Sequence, residues 1–260
     1  MACVCFFIHG SDAYYDAGRE AVRSVLVHTD FPVFVSCDDK TRLKLNSSRL
    51  QVDECSRYSG AHRSWRFLGK FRALEACIRS SDEDLVLFLD ADALLLQPLD
   101  DRLIRTALNH HPLGMVEQTT ITGSTMNRTA FWEHYRQHSL SFIAPDLAPP
   151  TPSQFRYFNS GVVFGRKSTI AAITDWALSE IRRSSSDHCI GQHMIADQDY
   201  FQVWTNNLFP GICQELPWEW NHCEYWDVGF PRRTARIAHF SNFCNGPAPD
   251  TATRMRALLG

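Results

Sequence analysis

Two carboxylates, Asp90 and Asp92, flank Ala91 directly after the apolar run LVLFL at 85–89. A run without polar alternation reads as a strand buried on both faces. Carboxylates brought to the end of such a strand cost several kcal/mol unless a counter-charge is present. At i and i+2 of an extended chain both side chains point to the same side. Hard oxygen ligands of this kind suit Mn²⁺ or Mg²⁺ and leave coordination positions open for phosphate oxygens. A metal held there would serve as Lewis acid toward a diphosphate. The plain alternative is a strand-terminal turn with solvated aspartates. An aspartyl-nucleophile hydrolase also carries this spacing, but after its first strand and before Thr or Val, whereas here it sits at residue 90 and continues Ala93-Leu94-Leu95.

The elements that must position these groups alternate between strand and helix. Residues 3–8 (CVCFFI) read as a first strand, and the polar turn His9-Gly10-Ser11-Asp12 leads into a helix-like segment at 15–28. The β-branched and aromatic run at 31–37 completes a strand–helix–strand unit. Segment 63–79 places Phe67, Phe71, Leu74 and Ile78 on one helical side, just before the carboxylate-bearing strand. A helix at 101–110 and a strand at 113–118 follow, then a proline-rich loop at 144–154, a strand at 158–164, a helix at 168–182 opened by Ser168, and a last strand at 235–240. The pattern predicts an α/β fold with a Rossmann-like central sheet flanked by helices and its site at the carboxyl edge of the strands. One domain over 1–246 and a C-terminal tail over 247–260 are expected.

Composition narrows the classes. Of 260 residues, 44% are hydrophobic and 21% charged, which excludes a disordered chain, a long coiled coil or a collagen-like repeat. A net charge of -3 provides no footprint for nucleic acid or an anionic membrane surface. No window approaches the roughly 18–20 apolar residues of a membrane span, and the apolar start lacks the features of a signal peptide. The nine cysteines are scattered, without a zinc spacing around His222, and read as free thiols in a reducing compartment, the cytoplasm.

Taken in order, these segments resemble the glycogenin-type retaining glycosyltransferases, glycosyltransferase family eight, which have the GT-A fold. The likeness runs through Ile8-His9-Gly10-Ser11-Asp12-Ala13-Tyr14, Lys70, Leu89-Asp90-Ala91-Asp92-Ala93-Leu94, Asn159-Ser160-Gly161, Asp197-Gln198 and Ala238-His239-Phe240. It implies a UDP-sugar donor, contacts to it from His9, Gly10, Ser11, Asp12, Tyr14, Lys70, Asp90, Ala91, Asn159, Ser160 and Gly161, a Mn²⁺ or Mg²⁺ site of Asp90, Asp92 and His239, and Asp197 and Gln198 at the catalytic centre. The family's lysine shortly after the metal histidine is absent here, which leaves Arg63, Arg66, Arg232, Arg233 and Arg236 as candidates to neutralise the diphosphate. Met194 stands where an acidic residue is expected, so the donor sugar stays open.

The same residues have readings of their own. An isolated histidine ending an apolar strand is more often a core or surface residue than a ligand, but the pair Asp90 and Asp92 needs a third ligand and reverses that for His239. Asn159 either holds a sugar hydroxyl or forms a turn, and Gly161 either admits the donor or relieves a crowded strand. Asp197 and Gln198 either stabilise positive charge at an anomeric carbon or Asp197 caps a helix. The resemblance implies retention through front-face attack. A covalent route would require Asp197 or Asp199 as nucleophile. The aromatic segment 217–227 is equally an acceptor platform or a local core, and 144–157 is a candidate lid. The rival classes are a sugar-nucleotide-forming nucleotidyltransferase, disfavoured by the single glycine and absent basic residues of 9–17, and a non-catalytic sugar-nucleotide-binding protein of the same fold.

Overall fold

The computed structural model describes residues 1–54, 65–118, 127–183, 189–190, 193–223, 231–241 and 247–260. From the N-terminus run β1 (Ala2–Ile8), α1 (Asp12–His28), β2 (Val33–Cys37), α2 (Lys40–Leu43), β3 (Leu50–Glu54) and α3 (Trp65–Ser80). Next come β4 (Leu85–Asp90), β5 (Ala93–Leu95), α4 (Asp101–Leu108), β6 (Leu113–Glu117), and α5 (Arg128–His134) continuing through a π-helical turn into α6 (Ser141–Ile143). The second half contains β7 (Phe158–Arg166), α7 (Lys167–Arg183), β8 (Cys189–Ile190), β9 (His193–Met194), α8 (Asp197–Val203), β10 (Cys213–Leu216), β11 (His222–Cys223), β12 (Ile237–His239) and α9 (Thr251–Leu259).

Seven strands form the central sheet in the order β10-β6-β7-β4-β1-β2-β3. β1 pairs in parallel with both β2 and β4, while β7 lies antiparallel between β4 and β6. The chain leaves β1 for β2 on one side and reaches β4 on the other. That reversal opens a crevice at the carboxyl ends of β1 and β4, where α/β sheets bind ligands.

All seven residues of β1 are buried, with Ala2, Val4, Phe6 and Ile8 in one apolar layer and Cys3, Cys5 and Phe7 in the other. The first layer is closed by α1, α4 and α9, the second by α3, α5, α7 and α8. Each layer therefore draws on alternate residues of the same strand, which explains why the run shows no polar alternation. None of the described helices is long and apolar enough to cross a membrane.

Expected strands and helices occur close to where the sequence places them, and the differences have local causes. β3 is largely exposed and polar, so it lacks the apolar run of an inner strand. β5 and β12 are only three residues each and belong to a separate three-stranded sheet with β11. The segment read as a tail carries α9, whose Met255 is fully buried against the core and whose Arg256 donates to Glu20 of α1 at 3.0 Å.

Gly69 lets α3 lie directly on β1: a Cβ there would come within 2.3 Å of the Phe7 ring. Replacing Gly69 with Ala must push the helix off the strand. We expect Gly69→Ala to lose about 1–3 kcal/mol of stability in urea titration, since overpacking costs that much. Unchanged stability would mean that the contact between α3 and β1 is loose.

Candidate active site

Asp90 is the last residue of β4 and lies in register with Phe7 of β1. The chain turns at Ala91 and Asp92 and re-enters as β5, which pairs antiparallel with β12 so that Ala93 faces His239. The amide of Phe240 donates to the carbonyl of Asp92 at 2.9 Å and closes the turn. This small ladder carries residue 239 back to residue 92. Nε2 of His239 lies 3.3 Å from Asp92 Oδ1 and 3.7 Å from Asp90 Oδ2.

A row of amides holds the imidazole. Nδ1 of His239 lies 3.0 Å from Asn221 Oδ1, Asn221 Nδ2 donates to Asn159 Oδ1 at 2.8 Å, and the same oxygen accepts from the Gly161 amide at 2.8 Å. With Nδ1–H donating to Asn221, Nε2 is left to face the carboxylates, the usual way that a ligating histidine is oriented. Gly161 provides the room. A Cβ at that position would lie 2.1 Å from His239 Cε1.

Lys70 of α3 rises beneath the carboxylates. Its Nζ donates to Asp197 Oδ2 at 2.5 Å and to the Ser160 carbonyl at 2.9 Å, and lies 3.0 Å from Asp90 Oδ1 and 4.6 Å from the centre of the Phe88 ring. Ser160 Oγ donates to Asp197 Oδ2 at 2.7 Å, and the Ser160 amide donates to Gln198 Oε1 at 3.3 Å. Asp197 opens α8 and is buried, so the helix N-terminus also favours its charge.

The electrostatics point one way. Burial raises the Asp90 carboxyl above the usual carboxylate range, with Lys70 and His239 opposing and its acidic neighbours adding to the rise. Burial pulls the Lys70 ammonium down, but Asp197 and Asp90 outweigh it and the net direction is upward. His239 likewise rises, because Asp92 and Asp90 overcome the burial that would lower it. Asp90 and Asp197 pair with Lys70 while Asp92 faces His239, so with all three carboxylates ionised and the imidazole neutral the cluster carries two uncompensated negative charges. A divalent cation restores the balance, and one ligand atom from each of Asp90, Asp92 and His239 lies within 4.8 Å of the others. The donor set of two carboxylates and an imidazole fits Mn²⁺ or Mg²⁺.

The cluster opens into a cavity of about 80 Å³ lined by the expected His9, Tyr14, Lys70, Asp90, Ala91, Asp92, Asp197 and His239, with Phe7, Arg66 and Ser241 among the others. A family model described as the Rhodobacterales glycosyltransferase domain matches residues 45–199, more than half of the chain and inclusive of Lys70, Asp90, Asp92, Asn159 and Asp197. The chain belongs to this glycosyltransferase family. Searched against curated proteins, its sequence finds no match.

Among solved structures, the glycosyltransferase is similar to the galactosyltransferase LgtC in complex with donor and acceptor sugar analogs, at TM-score 0.59 and 16% identity over 100% of this chain and 95% of that one. It is also similar to mouse xyloside xylosyltransferase 1, at TM-score 0.54 and 16% identity over 96% of this chain and 100% of the other. At such identities the likeness establishes the GT-A fold, as the sequence motifs implied.

Gly10, Ser11, Asp12, Asn159, Ser160 and Gly161, also expected at the donor, are not among the residues that line the cavity of this glycosyltransferase. Gly10 takes a left-handed backbone with φ of 102° and donates its amide to Asp38 Oδ2 at 3.2 Å, while Ser11 stands at the start of α1. Asp12 turns away to Arg42 at 2.7 Å and its side chain is 92% exposed. Asn159, Ser160 and Gly161 act from behind the cavity wall, with the Asn159 oxygen engaged by Asn221 and Gly161. Of the arginines considered, Arg66 lines the cavity and sits over Phe67; Arg232 sits over Phe240 and Arg236 over Trp220, and neither they nor Arg233 line it; Arg63 lies outside the described residues.

Sequence reasoning missed two residues. Asn221 was read only as part of the aromatic segment, and nothing local marks it as the partner of His239. Asp38, which ends the β2 run and whose Oδ2 lies 3.7 Å from His9 Nε2, carried only the weak signal of an acid at a strand end. Within the aromatic segment, Trp220 is buried edge-on against Phe164 and belongs to the core, while 224–227 lie outside the described residues. The candidate lid contributes Ala148, Pro150, Ser153, Gln154 and Arg156 to a second cavity of about 620 Å³ beside β10.

Gly161→Ala provides a test that alters no ligand. We expect Mn²⁺ affinity, read by electron paramagnetic resonance, to fall at least about tenfold, as disturbing an outer partner of a metal ligand does, with the chain still folded by circular dichroism. Full affinity in that variant would show that the imidazole is not held where the structure places it.

Proposed function

We propose that this glycosyltransferase moves a hexose from a UDP-sugar to a hydroxyl acceptor with retention of configuration, using Mn²⁺ or Mg²⁺ held by Asp90, Asp92 and His239. The observation that carries the reading is the convergence of Asp90, Asp92 and His239, with one ligand atom from each within 4.8 Å of the others, on a cavity at the carboxyl edge of the sheet. A bound divalent cation supplies Lewis-acid stabilisation of the charge that builds on a departing diphosphate. A fixed, preorganised cluster needs little rearrangement at the moment of reaction, which is where electrostatic catalysis gains most.

The chain's own groups divide the remaining work. Asn221 and Gly161 keep His239 turned toward the carboxylates. Lys70 fixes Asp90 and Asp197 relative to one another, so the metal-binding and sugar-facing sides share one anchor. Asp197 lines the cavity as a carboxylate against which positive charge at the anomeric carbon is stabilised. Gln198 accepts from the Ser160 amide and braces β7 beside it. LgtC has been solved with an active-site glutamine replaced by glutamate, which supports a glutamine at the centre here. Asp197 lines the cavity, whereas Asp199 is not among its lining residues and is held by Ser139 Oγ and the Ala196 amide, which favours Asp197 as the carboxylate for any covalent route. We favour front-face attack, with the leaving phosphate taking the acceptor's proton. The free thiols of Cys3, Cys5, Cys37, Cys77, Cys213 and Cys223 support placement in a reducing compartment such as the cytoplasm.

The reading predicts UDP release from one member of a UDP-sugar panel in Mn²⁺, with simple glycosides as acceptors. In Asp92→Ala the rate should drop at least about 100-fold, the scale of losing charge stabilisation in the transition state. No turnover together with no Mn²⁺-dependent UDP binding would leave a protein with this fold and without this chemistry.

A further inference from the structure

Lys70 is the cation deepest in the cavity, and its donors are all engaged. An ammonium has three N–H groups. Here they meet Asp197 Oδ2 at 2.5 Å, Asp90 Oδ1 at 3.0 Å and the Ser160 carbonyl at 2.9 Å, with the side chain 4% exposed. Binding a phosphate would require Lys70 to release one of these partners and leave a buried carboxylate or carbonyl unsatisfied.

Charge balance makes the same point. With a dication bound, the three carboxylates, Lys70 and the metal sum to zero. A nucleoside diphosphate sugar enters as a dianion, and the departing nucleoside diphosphate gains a further charge. Its compensation has to come from outside the balanced set.

Among the described residues lining this cavity, the other cationic side chain is Arg66. It lies four residues before Lys70 in α3, so the two share one face of the helix, with Arg66 a turn nearer the helix start. Arg66 is exposed where Lys70 is buried, which puts the guanidinium at the mouth of the cavity and the ammonium at its floor. A guanidinium presents a planar fork of donors that matches two phosphate oxygens at once. Arg66 lies over the Phe67 ring at 4.8 Å, and that ring lines the cavity too, whereas Arg232 and Arg236 lie over the Phe240 and Trp220 rings, at 4.5 and 5.3 Å, which are not among the lining residues.

We propose that Arg66 binds the diphosphate of the donor and stabilises it as it leaves. The inference rests on the nucleotide-sugar reading above and assigns to one residue the cationic contact that the balanced metal cluster does not provide. The two cations of α3 then have separate duties: Lys70 organises the carboxylates, and Arg66 meets the phosphates.

The test is calorimetric titration of UDP in saturating Mn²⁺ into wild type, Arg66→Met, Arg66→Lys and Arg236→Met, with Mn²⁺ affinity measured for each. Arg66→Met should weaken UDP about 10- to 100-fold, the range for losing charge-assisted hydrogen bonds, while Mn²⁺ affinity stays within about twofold because no ligand is touched. Arg66→Lys should recover part of the loss, and Arg236→Met should bind as wild type does. UDP affinity unchanged in Arg66→Met, or reduced only in step with Mn²⁺ affinity, would overturn the assignment. Absence of UDP binding in wild type would instead overturn the donor reading, and the role of Arg66 with it.

Discussion

Two carboxylates, Asp90 and Asp197, share one buried ammonium at the carboxyl edge of the sheet, with Asp92 beside them on His239, and much of the architecture serves that arrangement. Lys70 binds Asp90 on β4 and Asp197 on α8 at once, and it takes the Ser160 carbonyl of β7 as a third partner. Removing one partner from such a network leaves an uncompensated buried charge, at about 3–5 kcal/mol. The elements that bring the partners together are the same ones that build the crevice. β4 lies between β1 and β7, α3 packs on β1 where Gly69 permits it, and α8 covers β7. The lysine thus joins the fold to the candidate site.

The second requirement is to return the chain's far end to this point. The three-residue strands β5 and β12 do so, setting His239 opposite Ala93 and beside Asp92. Asn221, from the turn before β11, then fixes the imidazole through a relay that ends on Asn159. Asn159 and Gly161 are therefore parts of the histidine's support from behind the cavity wall. Gly161 is needed because an imidazole occupies the space that a side chain would fill, a close approach of ring to backbone rather than an unusual backbone angle.

Much of this was legible in the sequence, for physical reasons that can be named. β1 and β4 are buried on both faces and announce themselves as unbroken apolar runs, and charged residues at the end of such a run require explanation. Asp90, Asp92, Lys70 and Asp197 were found in that way or through the motif order. What stayed hidden depends on long-range placement. Asn221 has no local signature, because its role exists only once β12 brings His239 within 3.0 Å. Asp12, expected at the nucleotide, turns to Arg42, a contact set by the packing of α2 near α1. The helix α9 lies in a segment that opens with Gly246-Pro247-Ala248-Pro249 and was read through those residues; its hold on the core comes from Met255 and Arg256.

The central claim is that the negative excess around Lys70 makes Asp90, Asp92 and His239 a divalent-cation site. The most direct measurement is anomalous diffraction at the manganese edge from crystals grown with Mn²⁺. The account predicts one strong peak per chain, bonded to a carboxylate oxygen from each aspartate and to Nε2 of His239. No peak at the cluster, or a peak elsewhere with Lys70 still bridging Asp90 and Asp197, would contradict it.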